Sequence, residues 1–424
     1  MRTRVVIIGA GFSGLSAANA LLDAGVDCVV LEARDRVGGR VESQVNGLGE
    51  RIDTGGQYLC DDMPEIMALA RAHGKTFVRG DYRGRAVIQP PGATGTDLDE
   101  LYPRVMAIRD RASAIDPSDP AIAGLSVRAW VETQPDLADA KAGFLSSIEG
   151  LWCRPTDTLP LWYLICNDRR ITNEVGELQY SLAETMHSLA EDLGRRLGAR
   201  LRLGQAVRTL GHDQAGVTAV TADGEVRAEQ AIVAVPPAMA RRISFEPRLP
   251  ADVSRALAVW VPGTVIKVSL RYEKAFWREQ GMSGTLFSLD PPGIYACDAS
   301  RGERAALVVF VGGQLAVDWR ALGDEGLRAA ILAKLTTALG LEAGNPIGVL
   351  MRDWTDDPWS GGGYSDTIAD LAAYDAEDVL RRGLSRVAFA PSELSLSYPG
   401  YIEGAIVSGR AAAARVLSAL ENLA

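Results

Sequence analysis

An α/β fold built on a parallel nucleotide-binding sheet is what this sequence predicts, and three observations carry that expectation. First, residues 4–8 form a short apolar run, Arg-Val-Val-Ile-Ile. It leads into Gly9-Ala10-Gly11-Phe12-Ser13-Gly14 and then into a stretch of helical composition over residues 15–24. Second, another apolar run at residues 27–31 ends on Glu32. Third, strand-like runs of the same kind return far downstream, at residues 200–203 and 231–235. Strand, glycine turn, helix, strand and terminal acid, in that order, make a Rossmann-type dinucleotide unit.

Within the unit, Gly9 permits the tight turn and Gly11 lets backbone approach a pyrophosphate. Gly14 allows helix to pack closely on strand. Phe12 and Ser13 open the helix, whose free N–H groups and dipole favour phosphate. Glu32 is placed to bind ribose hydroxyls. Ala33-Arg34-Asp35-Arg36-Val37-Gly38-Gly39-Arg40 follows, with a second glycine pair for close approach and a cation for the pyrophosphate. An NAD site needs nothing after the acid. Gly55-Gly56-Gln57 adds a third such turn.

At these positions the chain resembles the flavin-containing amine oxidase family, which includes monoamine, polyamine, putrescine and hydroxynicotine oxidases. The resemblance implies FAD rather than NAD as the nucleotide. It also implies that Ala33, Arg34, Gly39, Arg40, Gly55, Gly56 and Gln57 belong to the cofactor site with the first glycines.

Composition bounds the alternatives. The chain has 424 residues, 47% of them hydrophobic, as in a globular protein with a sizeable core. A net charge of −10 argues against nucleic acid as a partner and is compatible with a cationic substrate. The five cysteines show neither CxxC nor metal spacing, which suits reduced thiols and a cytoplasmic protein. Three scattered histidines support neither a metal centre nor a Ser-His-Asp arrangement. The first strand follows Met1 so closely that no targeting peptide is expected, and no apolar run reaches membrane-spanning length.

Along the chain, residues 206–210 continue the strand pattern. Residues 217–222 and 225–228 flank Asp223-Gly224, a hairpin signal. Residues 231–235 end at Pro236-Pro237. Helical periodicity is expected over residues 97–113, 126–132, 138–149 and 178–197. After Pro262, strands are expected at 264–270, 284–288 and 305–311, and a helix at 327–341. The expected architecture is discontinuous. Residues 1–77, 199–256 and 357–424 would form the FAD-binding domain, and residues 78–198 and 257–356 an α+β substrate-binding domain.

Three constellations would carry the chemistry. Lys267 stands alone in the apolar run Thr264-Val265-Ile266-Lys267-Val268-Ser269-Leu270. It resembles the family lysine that holds a water near flavin N5. A lysine buried there must be paired or lose its charge. Trp354, and then Gly361-Gly362-Gly363-Tyr364, resemble the segment that sets a tryptophan beside the flavin and a tyrosine against the substrate. Some members carry a cysteine, covalently bound to FAD, where this chain has Gly363. Glycine has no nucleophilic atom, so non-covalent FAD is expected.

In the C-terminal block, Glu393 resembles the acid that binds ribitol or ribose-side hydroxyls. Gly400, Tyr401 and Ile402 open a helix beside the flavin pyrimidine. Tyr401 would form the second wall of an aromatic cage opposite Tyr364, an arrangement that favours an amine. Ala390-Pro391 departs from the family's Ala-Gly, and Pro391 has no N–H to offer. Val207 is expected to touch adenine through its backbone.

The resemblance implies oxidation of an amine C–N bond to an imine, hydrolysed to a carbonyl compound. Lys267, Tyr364 and Tyr401 would be the catalytic residues, with oxygen or an electron-acceptor protein taking the electrons. An amino-acid oxidase, a desaturase and a non-catalytic flavin-binding protein remain alternatives. The amino-acid oxidase would need a pocket arginine, for which Arg169 and Arg170 are candidates. Residues between about 80 and 174, where the pocket should lie, resemble the family weakly. Oligomeric state is open, a homodimer included.

Overall fold

The computed structural model describes residues 1–422. Strand β1 (Val5–Ile8), helix α1 (Phe12–Asp23) and strand β2 (Cys28–Leu31) form the expected N-terminal unit. β1 and β2 are parallel and fully buried, Val5 opposite Cys28 and Ile8 opposite Leu31. A strand covered on both faces, here by helices on one and by residues of a second sheet such as Leu210, Ala219 and Val226 on the other, needs apolar residues at every position, which is why these runs do not alternate.

The sheet is completed by strands remote in sequence. Its order is Val387–Phe389, Gln230–Val233, β1, β2 and Leu201–Arg202, all parallel. The C-terminal helix Ile402–Glu421 packs along α1, so closely that a Cβ on Gly409 would stand 2.1 Å from the Ser13 carbonyl oxygen. A four-stranded sheet sits beside this one, in which Val217–Thr221 and Gly224–Ala228 pair as the expected hairpin.

A seven-stranded sheet forms the other layer, in the order Gly348–Asp353, Val265–Arg271, Ala306–Gly312, Ile294–Asp298, Met282–Ser288, Arg85–Gly92 and Gly95–Asp97. Its core is a separate apolar cluster centred on Ile266, Leu286, Leu307 and Trp277. Arg85–Gly92, Ile294–Asp298 and Gly348–Asp353 are strands that apolar patterning does not announce. The first ends in Pro90-Pro91, and the third is an edge strand of half-buried residues.

One expected element is corrected. The helix foreseen over residues 178–197 begins only at Met186, where the Thr185 hydroxyl caps it by accepting the Ser188 N–H at 3.3 Å. Upstream, Tyr180–Leu182 is a strand paired with Phe77–Arg79, and Tyr180 exchanges backbone hydrogen bonds with Leu59 at 2.9 and 3.0 Å. Tertiary pairing overrides local periodicity there. Helix Met186–Leu197 shares an apolar cluster with α1 and so packs with the nucleotide unit, as does Leu182 just before it.

Candidate active site

Where the two layers meet, a cavity of about 880 Å³ opens. That is near the top of the range of roughly 300–1,000 Å³ usual for ligand sites. Gly9, Gly11, Phe12 and Ser13 line one region, joined by Glu32, Ala33, Arg34 and Val207. Gly39, Arg40, Gly55, Gly56 and Gln57 line the middle. Lys267, Trp354, Tyr364, Gly400, Tyr401 and Ile402 line the region beyond. Residues more than three hundred positions apart therefore face one space.

Local sequence explains the first region. α1 has neither a capping side chain nor an acid in its first turn, so its first N–H groups remain available to an anion. A Cβ on Gly11 would meet no protein atom within 4 Å, because it would project into open space at the turn. Glu32 is buried, its carboxylate fixed by the Ala10 N–H at 2.6 Å and the Arg34 N–H at 2.9 Å. A phosphate-binding helix end, an open glycine turn and a carboxylate with lone pairs to spare fit FAD's pyrophosphate and ribose. No cysteine or histidine lines the cavity among the described residues, and Gly363 does, so non-covalent FAD fits the walls.

Two of the expected cofactor residues lie outside the cavity wall. Gly14 packs on the turn: a Cβ there would stand 1.9 Å from the Gly9 carbonyl oxygen. Glu393 is 1% exposed and accepts from Arg40 Nη1 at 2.5 Å and from the Asp366 N–H at 3.0 Å. Burial would raise its carboxyl, but the Arg40 guanidinium more than reverses this and holds it below its ordinary value. A carboxylate this desolvated must be paired. Glu393 thus anchors Arg40 through both carboxylate oxygens. The cation expected to face pyrophosphate is in turn compensated, and it also donates to the Tyr364 carbonyl at 3.0 Å. Arg34 is held likewise by Asp357, 2.6 Å away.

Lys267 is 3% exposed. Its Nζ donates to the Gly55 carbonyl at 2.7 Å and to Gln57 Oε1, and lies 5.7 Å from the Phe310 ring centre. Burial pulls its pKa down to about 7, against the opposing charge of Asp53. Two hydrogen bonds to neutral oxygens orient the group without supplying a contact ion pair, so the neutral amine is accessible near neutrality.

Each of the two tyrosines is braced by another aromatic ring. Tyr364 stands edge-on to Phe310, centres 5.8 Å apart, and Tyr401 edge-on to Tyr398 at 5.8 Å. Burial keeps both phenols neutral. The Trp354 indole N–H donates to the Thr54 carbonyl at 2.9 Å, and the Arg352 guanidinium caps its ring at 4.1 Å.

Several wall residues went unrecognised in the sequence. Tyr102, Met106 and Arg109 come from one face of helix Leu98–Ala114, and Glu177 from the loop before Tyr180. The only available signal was the i, i+4 and i+7 spacing of Tyr102, Met106 and Arg109, which any packed helix shares. Neither candidate carboxylate-binding arginine lines the cavity. Arg170 pairs with Glu377 at 2.9 Å, and Arg169 donates to the Ile115 carbonyl at 2.8 Å.

One cavity thus joins a glycine turn and helix end suited to a dinucleotide with a region lined by Lys267, Trp354, Tyr364 and Tyr401. The family model for flavin-containing amine oxidoreductases matches residues 12–105 and 125–417, and the chain belongs to that family. It is an FAD-dependent oxidoreductase acting on amines. The chain is 31% identical to the putrescine oxidase of Kocuria rosea, over 98% of this chain and 95% of that protein. Among solved structures it superposes on a putrescine oxidase holding putrescine with a TM-score of 0.91 at 26% identity, covering 99% of both chains. The cyclohexylamine oxidase of Brevibacterium oxydans gives the same TM-score, 0.91, at 26% identity and 99% coverage of both. No helix among the described residues is long and apolar enough to cross a membrane.

Proposed function

We propose that an amine binds between Tyr364 and Tyr401 with its α C–H directed at the flavin ring, and that oxygen is the final electron acceptor. One observation carries this reading: the buried Lys267 and both tyrosines face the same cavity as the glycine turn of α1. Bound FAD supplies the two-electron acceptor for the amine C–H bond.

The protein's own residues do the rest. Gly9, Gly11 and the first N–H groups of α1 would hold the pyrophosphate, and Glu32 the ribose. Trp354 and Ile402 would line the space for the ring system. The two phenols keep the substrate nitrogen oriented, and the apolar walls exclude bulk water, so that reacting atoms are held in a productive arrangement. Lys267 holds one water, through its lone pair when neutral, for the oxygen-dependent half-reaction or for hydrolysis of the imine. No side-chain base is required if the amine arrives unprotonated.

The division of labour between residues 1–77, 199–256 and 357–424 for FAD and 78–198 and 257–356 for substrate belongs to this proposal, with helix Met186–Leu197 assigned to the FAD side. Five free thiols support a reducing, cytoplasmic setting.

The test is the visible spectrum of the purified protein during anaerobic titration with primary amines, cyclic secondary amines, diamines and amino acids. Bleaching of the flavin band by an amine class is expected. A flavin band that every amine leaves intact, or a protein that takes up no FAD, would sink the reading.

A further inference from the structure

The cavity contains an acid that the reaction itself does not need. Glu177 lines the wall beside Tyr401, half-buried, with its side chain open to the cavity. Both carboxylate oxygens are oriented by neutral donors. Oε2 accepts from the Tyr401 hydroxyl at 2.7 Å, and Oε1 from Asn173 Nδ2 at 2.8 Å. Asn173 is itself fixed, because its Oδ1 accepts from the Tyr398 hydroxyl at 2.7 Å. The carboxylate is thus locked into one orientation, and each oxygen keeps a lone pair unused by the protein.

Its charge has no contact ion pair; Arg109 acts on it only from a distance. The cation on the same side of the cavity, Arg109, is engaged at 2.8 and 2.9 Å by both oxygens of Asp168. No ion pair among the described residues includes Glu177. Arg109, Asp168 and Glu177 together carry one net negative charge. Such a site repels a substrate carboxylate, because the arginine that could take it is already committed. A carboxylate facing an apolar cavity without a cation is unfavourable until a ligand supplies one. Burial raises the Glu177 carboxyl by more than Tyr401 and Arg109 lower it, as befits an acid without a contact cation.

We infer that Glu177 is the specificity residue for a second, protonated amino group, so that the substrate is a diamine whose far end pairs with Glu177 while its near end lies in the Tyr364–Tyr401 cage. The inference rests on the amine-oxidising reading above and adds the substrate's second charge. It also sets the substrate's orientation: the reacting carbon points to the flavin, and the distal ammonium points to the loop that carries Glu177.

The experiment compares anaerobic reduction of the bound flavin by α,ω-diaminoalkanes and by n-alkylamines of matching chain length. The quantity read is the ratio of kred/Kd for the two series. In the unsubstituted protein the ratio should favour the diamine. Glu177→Gln keeps the length and still accepts from Tyr401, so only the charge is lost. It should lower the ratio by on the order of 10- to 100-fold, the value of a hydrogen bond to a charged group. Glu177→Asp keeps the charge and should retain the greater part of the preference.

If Glu177 only braces Tyr401, the two variants exchange behaviour: Gln keeps the ratio and Asp, too short to reach, loses it. That result, or a ratio unchanged in Glu177→Gln, overturns the inference while leaving amine oxidation standing. A flavin that neither series reduces overturns the amine reading itself, and the inference with it.

Discussion

Lys267 shows how one side chain acquires function from its surroundings. In sequence it is a charge in an apolar strand, and strand lysines usually face solvent. Here the pleat turns it inward, opposite Phe310 on the neighbouring strand, and its ammonium hydrogens find Gly55 and Gln57. With its pKa pulled to about 7 by burial, the group is an ammonium below neutrality and a free amine above it. Only the free amine has a lone pair for water. The rate of the oxygen-dependent half-reaction should therefore rise with pH through about 7. Lys267→Met should flatten that profile and slow the step by about 100-fold or more, with FAD still bound. Stopped-flow reoxidation across pH 6 to 9 checks this, and an unchanged pH profile in the variant would refute the assigned role.

Among the elements, the turn between β1 and α1 has the least latitude. Gly9 has φ +101°, the left-handed region that glycine tolerates. Gly14 leaves no room for a methyl group against the Gly9 carbonyl. Gly14→Ala should push α1 off the turn, costing about 1–3 kcal/mol. It should also weaken FAD retention, because the helix N-terminus is displaced from the phosphates. Thermal unfolding with and without added FAD reads both effects, and a variant that matches the parent in each would show that the turn can relax. Elsewhere the elements divide into two kinds. The parallel strands and the Asp223-Gly224 hairpin are legible from apolar runs and turn residues. Tyr180–Leu182 is not, because its pairing with Phe77–Arg79 joins segments about a hundred residues apart.

Across the whole molecule, an ionic network ties the nucleotide unit to the seven-stranded sheet. Asp357, buried, accepts from Arg34 at 2.6 Å and from Arg352 at 2.7 Å, and Arg352 also reaches Glu42 at 3.2 Å. Burial alone would raise the Asp357 carboxyl, but the hydrogen bonds from Arg34 and Arg352 hold it well below the ordinary carboxylate range. A folded-state pKa below the unfolded value means that the unfolded chain binds the proton more readily. The stabilisation is then fully present above about pH 4 and is lost as pH falls further. Asp357→Asn should cost about 3–5 kcal/mol at neutral pH, since it leaves the largely buried Arg34 guanidinium without its carboxylate partner and Arg352 with Glu42 alone. The gap to the parent should narrow below about pH 4. Denaturant unfolding at neutral and acid pH measures it, and a gap independent of pH would contradict the assignment.

The nucleotide half of this protein is legible along the chain. The fingerprint at Gly9, Gly11 and Gly14 and the acid at Glu32 are local patterns. The tight turn and free helix end that they require are made by neighbours within a few residues, whereas Lys267 finds its partners Gly55 and Gln57 some 210 positions away. The tertiary structure alone decided how Glu393 and Arg40 are employed. A pair 353 positions apart in the chain closes on itself, because a carboxylate at 1% exposure cannot remain unpaired. It alone also gathered Tyr102, Arg109 and Glu177 onto one wall. Pocket residues answer to a ligand and to each other across space, and no periodicity along the chain records that requirement.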